Sequence, residues 1–198
     1  MSRLARLWNV VTHPRELRLA LSGLATRLGG DDAMGGLAPE EAEALARWVR
    51  GSAADVFVEI GTLFGFTARS VSRLAGVHVI AVDNFSWNPF GLTPEQHEAF
   101  ARRVVDGSDV EIVRADAAKF LETIAERTAP ARSFVFLDGS HAYGDVKGEI
   151  EACVRSGVRT IAGHDFGREP FGVTQAVRDV VGEPDEVAGT CWLKRVGG

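Results

Sequence analysis

Five short runs dense in Val, Ile and Phe recur along the chain: VFVEI (56–60), HVIAVD (78–83), VEIVRAD (110–116), SFVFLD (133–138) and VRTIAGHD (158–165). They are the length of strands, and most are apolar without alternation, the pattern of strands covered on both faces. Between them lie TARSVSRLA, TPEQHEAFARRVV, AAKFLETIAER and VKGEIEACVRS, which read as helices. Strands separated by helices are predicted to lie parallel, with helices on both sides of the sheet. After one more helical stretch, GVTQAVRDVV, the segments EVAG and TCWLKRV are close enough in sequence to form a terminal hairpin. The expected fold is a doubly wound, mostly parallel seven-stranded sheet with a C-terminal antiparallel hairpin.

The punctuation agrees with this reading. Thr93, Pro94 and Gln96 occupy cap, first-turn and capping-box positions of one helix. LAPEEAEALARWVRG (37–51) reads as a helix opened by Pro39 and closed by Gly51. Upstream, residues 1–36 differ in character. The first 30 residues carry five arginines and one acid, while the whole chain has a net charge of −5. Leu4, Leu7, Trp8 and Val11, then Leu17, Leu21, Leu24 and Leu28, fit two amphipathic helices broken near Pro14. GGDDAMGG (29–36) is the joint. Residues 1–36 are therefore expected to be a helical N-terminal extension, a lid or a dimer contact, and residues 37–198 the main domain.

Composition excludes several classes. A chain of 198 residues with 45% apolar and 25% charged residues is ordinary for one globular domain. The net negative charge offers no general attraction to nucleic acid. No apolar run approaches 18 residues, so no membrane span is expected, and the start lacks a signal-peptide pattern. Cys153 and Cys191 stand alone without metal spacing, which points to free thiols and a cytoplasmic setting.

The strands share one further property. Glu59, Asp83, Asp138 and Asp165 end four of them, and Asp116 closes the third run. In open parallel α/β sheets ligands bind beyond the carboxyl ends of the strands. Five acids on one rim call for hydroxyls, amines, a sulfonium or a metal ion. Gly61 and Gly65 sit in the first strand-to-helix turn, where glycine allows a tight turn and close approach of a ligand. Asp83 ends the next strand, the place from which an acid holds ribose hydroxyls. The unit reads as a nucleoside site. A dinucleotide fingerprint would require glycines at 61, 63 and 66, whereas the chain has Gly61, Leu63 and Phe66. Glu59 is a poor neighbour for pyrophosphate and a good one for a cation, which favours S-adenosylmethionine (SAM) over a nicotinamide cofactor.

VFVEIGTLFGFTARSVS, VIAVDNF, VRADAAKFL, FVFLDGSHAYGDVKGEIEA and TIAGHDFGREPFGVTQAV follow one another in an order that resembles class I SAM-dependent methyltransferases. Within them the chain is similar to a small bacterial subgroup near the macrocin and mycinamicin sugar O-methyltransferases and the cephalosporin-hydroxylase-associated proteins. The resemblance spans roughly residues 40 to 195 and implies a Rossmann-like fold. It implies that Glu59, Gly61, Thr62 and Gly65 surround the methionine end of SAM, with Thr67 capping the helix. It places Asp83 on the ribose, Asn84 and Phe85 beside the adenosine, Asp116 and Ala117 at the adenine edge, and Asp138 facing the methyl group and the acceptor.

The expected reaction is methyl transfer from SAM to a hydroxyl of a small molecule, a sugar or polyketide-type natural product by family analogy. A hydroxyl acceptor must lose a proton, to a base or through a metal. His141, in Asp138-Gly-Ser-His141, is the candidate base, since histidine ordinarily titrates near neutrality. Asp138, His164 and Asp165 are the candidate metal ligands. In the sugar O-methyltransferases the resemblance implies an acidic pair binding magnesium where this chain has His164-Asp165. The histidine puts magnesium, which prefers oxygen ligands, in question, and the set would also suit zinc, manganese or iron. His13, His78 and His97 read as surface or structural residues. Tyr143, Phe85, Trp87, Phe90 and Phe171 read as pocket lining or local core. A homodimer is expected, with no nucleic acid or membrane partner. The rival readings are a SAM-binding accessory protein without turnover and a nicotinamide-dependent oxidoreductase.

Overall fold

The structure is a computed structural model that describes residues 36–197. The expected pair of N-terminal helices, and the lid or dimer role assigned to them, lie outside the described residues. Helix α1 (Pro39–Gly51) leads into β1 (Val56–Ile60), α2 (Phe66–Ala75), β2 (His78–Asp83), α3 (Pro94–Val105), β3 (Val110–Arg114), α4 (Ala117–Glu122), β4 (Ser133–Leu137), α5 (Tyr143–Arg155), β5 (Thr160–Gly163), α6 (Val173–Val181), β6 (Glu186–Ala188) and β7 (Cys191–Arg195). The seven strands form one sheet in the order β3-β2-β1-β4-β5-β7-β6. Strands β1 to β5 pair in parallel, and β7 runs antiparallel to both β5 and β6. This is the expected doubly wound, Rossmann-like arrangement with its terminal hairpin.

Alternation along each strand divides the core into two layers. Phe57, Val79, Ala81, Phe134 and Phe136 face one side, against Leu45, Trp48 and Val49 of α1 and Ala68 and Val71 of α2. Val58, Ile60, Ile80, Val82, Val135 and Leu137 face the other, against Phe120 of α4, Ile150 of α5 and Val177 of α6. Phe57 stacks on Phe134 and Phe136, at centroid distances of 5.6 and 6.0 Å. Both faces of the sheet are thus covered, which is why the strands read as unbroken apolar runs.

The edges depart from expectation in ways that matter for the rim. The third, fourth and fifth strands stop at Arg114, Leu137 and Gly163, short of the acids assigned to them. Asp165 takes a left-handed conformation, φ +61°, which ends extended pairing. Helix α4 stops at Glu122 and continues as a 3-10 turn, Ile124–Glu126. Thr123 explains the break, because its hydroxyl donates to the Lys119 carbonyl (3.0 Å) and competes with the helix ladder. At α3 the predicted capping box is present: Thr93 Oγ1 accepts from the Gln96 amide and Gln96 Oε1 from the Thr93 amide, at 3.3 and 3.1 Å.

Candidate active site

A cavity of about 930 Å³ opens along the carboxyl ends of the parallel strands. Asp116, Asp83, Asp138 and Asp165 line it from β3, β2, β4 and β5, with Gly61 between them at the end of β1. Of the residues expected at the site, Gly61, Asp83, Asn84, Asp116, Ala117, Asp138, His141, His164 and Asp165 line this cavity. Glu59, Thr62, Gly65 and Thr67 do not.

Each of these four has a local reason. Glu59 shares a strand face with Phe57, so pleating turns it under the glycine loop, where it is 1% exposed and accepts the Thr62 hydroxyl. Gly65 is the left-handed cap of α2, φ +81°, and a Cβ there would come within 2.8 Å of Val105. Thr67 lies inside α2 and makes no side-chain cap, because the helix opens at Phe66. The cap expected of Thr67 is therefore absent.

Glu59 carries a thermodynamic consequence. Burial, with smaller contributions from the Asp138 and Asp83 charges, outweighs the Thr62 hydrogen bond and pushes its carboxyl up to about 8 from 4.5. The folded protein then binds a proton that the unfolded chain releases, so stability falls as pH rises from 4.5 to about 8. The shift corresponds to on the order of 5 kcal/mol. Glu59→Gln is expected to gain stability over wild type by a few kcal/mol at pH 9 relative to pH 5. Urea unfolding at the two pH values measures this, and an unchanged difference between the two proteins would show that Glu59 is ionised in the fold.

The centre of the rim is organised by Asp83. Its Oδ2 accepts the Leu63 amide (2.9 Å) and its Oδ1 the Phe85 amide (2.7 Å). Both donors have left-handed backbones, φ +47° and +57°. With Asp165 they are all the non-glycine residues of positive φ among the described residues. That strain is concentrated on one rim, as at functional sites. His97 reinforces the loop from beneath: its Nε2 donates to the Leu63 carbonyl (2.9 Å), and its ring meets Phe64 and Phe85 edge-on. Burial lowers the His97 pKa, consistent with a neutral ring. Phe85 is fully buried among these rings and does not line the cavity, contrary to its expected place beside the adenosine. Asp116 lines the cavity and also caps α4, accepting from the Lys119 amide (3.3 Å).

The β4–β5 side gathers the chemically active groups. His141 Nδ1 lies 3.1 Å from Asp165 Oδ2, and its ring stacks on Phe171 at 4.5 Å. Arg168 donates to Asp165 Oδ1 (2.9 Å). His164 Nδ1 is 3.5 Å from Asp138 Oδ1 and 3.8 Å from Asp165 Oδ1. Although His164 and Asp165 are adjacent in the chain, both reach the cluster, because the left-handed turn at Asp165 cancels strand alternation. Burial opposes the charge on His164, but hydrogen bonding to Asp138 and the carboxylates of Asp138, Asp165 and Glu41 push its pKa up to about 9. Burial raises Asp138, and His164 opposes that rise.

Glu41 was not among the expected site residues. It sits in the first turn of α1, 7% exposed, with Oε2 3.3 Å from His164 Nε2. Its Oε1 accepts the Thr190 amide and hydroxyl, at 2.7 and 3.0 Å. Its place as the third residue of the helix opened by Pro39 was visible in the sequence, but nothing local connects it to a histidine 123 residues away. Tyr143 turns outward, its hydroxyl on Asp179 (2.9 Å), and Phe90 packs with Phe64 in a satellite cluster. Trp87 lines the cavity and is 69% exposed.

A seven-stranded sheet with a reversed last hairpin and an acid-lined cavity at its carboxyl edge defines a class I methyltransferase fold. The model of the methyltransferase domain family matches residues 58–165, more than half of the chain, and the protein belongs to that family. It is accordingly a SAM-dependent methyltransferase and not a nicotinamide oxidoreductase. Solved structures share the fold at low identity. CalS11, a calicheamicin methyltransferase, has a TM-score of 0.62 at 16% identity, over 80% of this chain and 78% of CalS11. An O-methyltransferase from Bacillus cereus in complex with S-adenosylhomocysteine (SAH) has a TM-score of 0.56 at 19% identity, over 84% of this chain and 76% of its own. TomG from Streptomyces achromogenes, an O-methyltransferase of tomaymycin synthesis in complex with SAM, has 0.54 at 17%, over 82% and 74%. No curated protein matches the chain. No helix among the described residues is long and apolar enough to cross a membrane.

Proposed function

We propose that this methyltransferase acts on a hydroxyl of a small molecule, with His141 as general base and Asp165 as the group that orients it. The observation that carries the proposal is the 3.1 Å contact between His141 Nδ1 and Asp165 Oδ2 at the wall of the cavity. A proton on Nδ1, held by the carboxylate, leaves Nε2 to take the acceptor's proton. Stacking on Phe171 fixes the plane of the ring. SAM supplies the electrophilic methyl group when bound. Gly61, Asp83, Asn84, Asp116 and Ala117 are the residues proposed to hold it, and the acids suit ribose hydroxyls and a sulfonium. A hydroxylated sugar or polyketide-type natural product is the proposed acceptor class. That choice agrees with the fold shared with CalS11, which is described as a TDP-rhamnose 3′-O-methyltransferase.

The donor set also fits a divalent ion that accepts both nitrogen and oxygen. Ligand atoms of Asp138, His164 and Asp165 lie within 4.8 Å of one another. Glu41 on the far nitrogen of His164 is the carboxylate partner that metal-bound histidines usually have. Such an ion would lower the pKa of a coordinated hydroxyl.

Isotope-labelled SAM offered with a panel of hydroxylated sugars and polyketides tests the reading. The expected outcome is a methyl ether and SAH in equal amounts. Transfer only to amines or carbon would overturn it. Calorimetric titration with Mn²⁺ after chelator treatment tests the metal independently, and Asp138→Asn is expected to weaken any binding seen.

A further inference from the structure

We infer that Glu149 reads the adenine base of the cofactor, its carboxylate accepting the exocyclic 6-amino group at the floor of a slot between α4 and α5. The inference rests on the SAM reading above and adds to it a residue outside the motifs that gave that reading.

Glu149 lies in the second turn of α5 and lines the cavity, yet is only 7% exposed. Its Oε2 is buried and has no hydrogen-bond partner. The ionisable groups that act on it are acids, Asp145 one turn earlier and Asp116 at the start of α4. Burial, reinforced by those two charges, pushes its carboxyl up to about 7. A buried acceptor without a donor is unfavourable, and the deficit disappears when a ligand brings the donor.

The surroundings define what that ligand is. Ala117 and Ala118 of α4 and Gly148 and Ala152 of α5 also line the cavity. A Cβ built at Gly144 or Gly148 meets nothing within 4 Å. Small side chains on two helices leave a slot for a flat ring, and Glu149 offers an acceptor in it. Its position in the sheet selects the ring. Asp83, at the end of β2, is the ribose acid, and the His141–Asp165 pair lies toward β5. On the reading above the methyl end of the cofactor lies toward β4 and β5, so the base lies toward the loop after β3, where Asp116 at the start of α4 is close enough to act on Glu149. An amino group there donates to Glu149. A 6-oxo group in its place would oppose one acceptor to another.

Calorimetry at pH 8 with SAH and with S-inosylhomocysteine, which carries a 6-oxo group and a proton on N1 in place of the 6-amino group, tests the inference. Wild type is expected to bind SAH about tenfold or more tightly than the inosyl analogue. Glu149→Gln is expected to lose about tenfold for SAH and to narrow or reverse the preference, because its amide donates to a 6-oxo group. Equal SAH affinity in wild type and Glu149→Gln, or an unchanged preference, overturns the inference while leaving the SAM reading intact. Gly148→Leu, with its thermal unfolding checked against wild type, is expected to weaken both ligands by filling the slot. A folded Gly148→Leu that binds SAH normally overturns the slot. If wild type binds neither ligand, the SAM reading fails, and this inference with it.

Discussion

His141→Gln is expected to lower kcat for methyl transfer by roughly 10² to 10⁴, the usual contribution of a positioned general base. The expectation follows from the arrangement around the ring. Asp165 holds Nδ1, Phe171 lies flat against one face, and the Gly172 amide donates to the His141 carbonyl at 2.9 Å. Glutamine keeps a polar side chain of similar reach but accepts no proton at neutral pH. Asp165→Asn is the companion variant. Asparagine tolerates the left-handed backbone found at this position, φ +61°, so the fold is preserved while the orientation of the base is not. Initial rates with labelled SAM and the acceptor identified by screening provide the measurement. A His141→Gln rate within threefold of wild type would remove histidine from the proton path and leave the metal ligands as the remaining source of acceptor activation.

Gly61→Ala is expected to destabilise the fold by roughly 3 kcal/mol or more. Gly61 has φ +85°, and a Cβ there would sit 2.3 Å from Gly139 Cα and 2.5 Å from the Asp138 carbonyl oxygen. Both neighbours are backbone, and neither can rotate away. The turn is also pinned, since the Gly61 amide donates to the Val82 carbonyl and the Asp138 amide to the Ile60 carbonyl, at 2.9 and 2.8 Å. The loop after β4 would have to retreat and carry Asp138 with it, so SAH affinity is expected to fall too. Gly76→Ala is the control. Its φ is +69°, but a Cβ would meet nothing within 4 Å, so only the left-handed penalty of about 1–2 kcal/mol applies. Urea unfolding of the two variants separates close approach from conformational cost. Equal losses would show that the crossing of the β1 and β4 loops is soft.

Much of this architecture follows from local pattern. The unbroken apolar strands, the helical spacing between them and the capping box at Thr93 are short-range features, and each appears at or near its predicted place. The acids at the strand ends were legible for the same reason: once strands are parallel, their carboxyl ends share an edge. Parallel pairing of β1 to β5 brings Asp83, Asp116, Asp138 and Asp165 to one cavity.

What a side chain does at that edge depends on groups far away in sequence. Glu59 is next to last in β1 and Asp83 is last in β2, yet pleating buries the first under its own loop and leaves the second clamping two strained amides. Thr67 lost its expected cap because α2 begins at Phe66 and is capped by Gly65, where Val105 of α3 leaves no room for a side chain. Asp165 joins His164 in the cluster only because its backbone is left-handed, which no residue-type pattern announces. Glu41 meets a histidine 123 residues away, and Glu149 Oε2 is buried without a hydrogen-bond partner. Periodicity and chain order decided which elements form and which edge carries the acids. Only the tertiary structure decided which of those acids face the cavity and what protonation and partners they have there, because burial and charge at a point are set by everything packed around it.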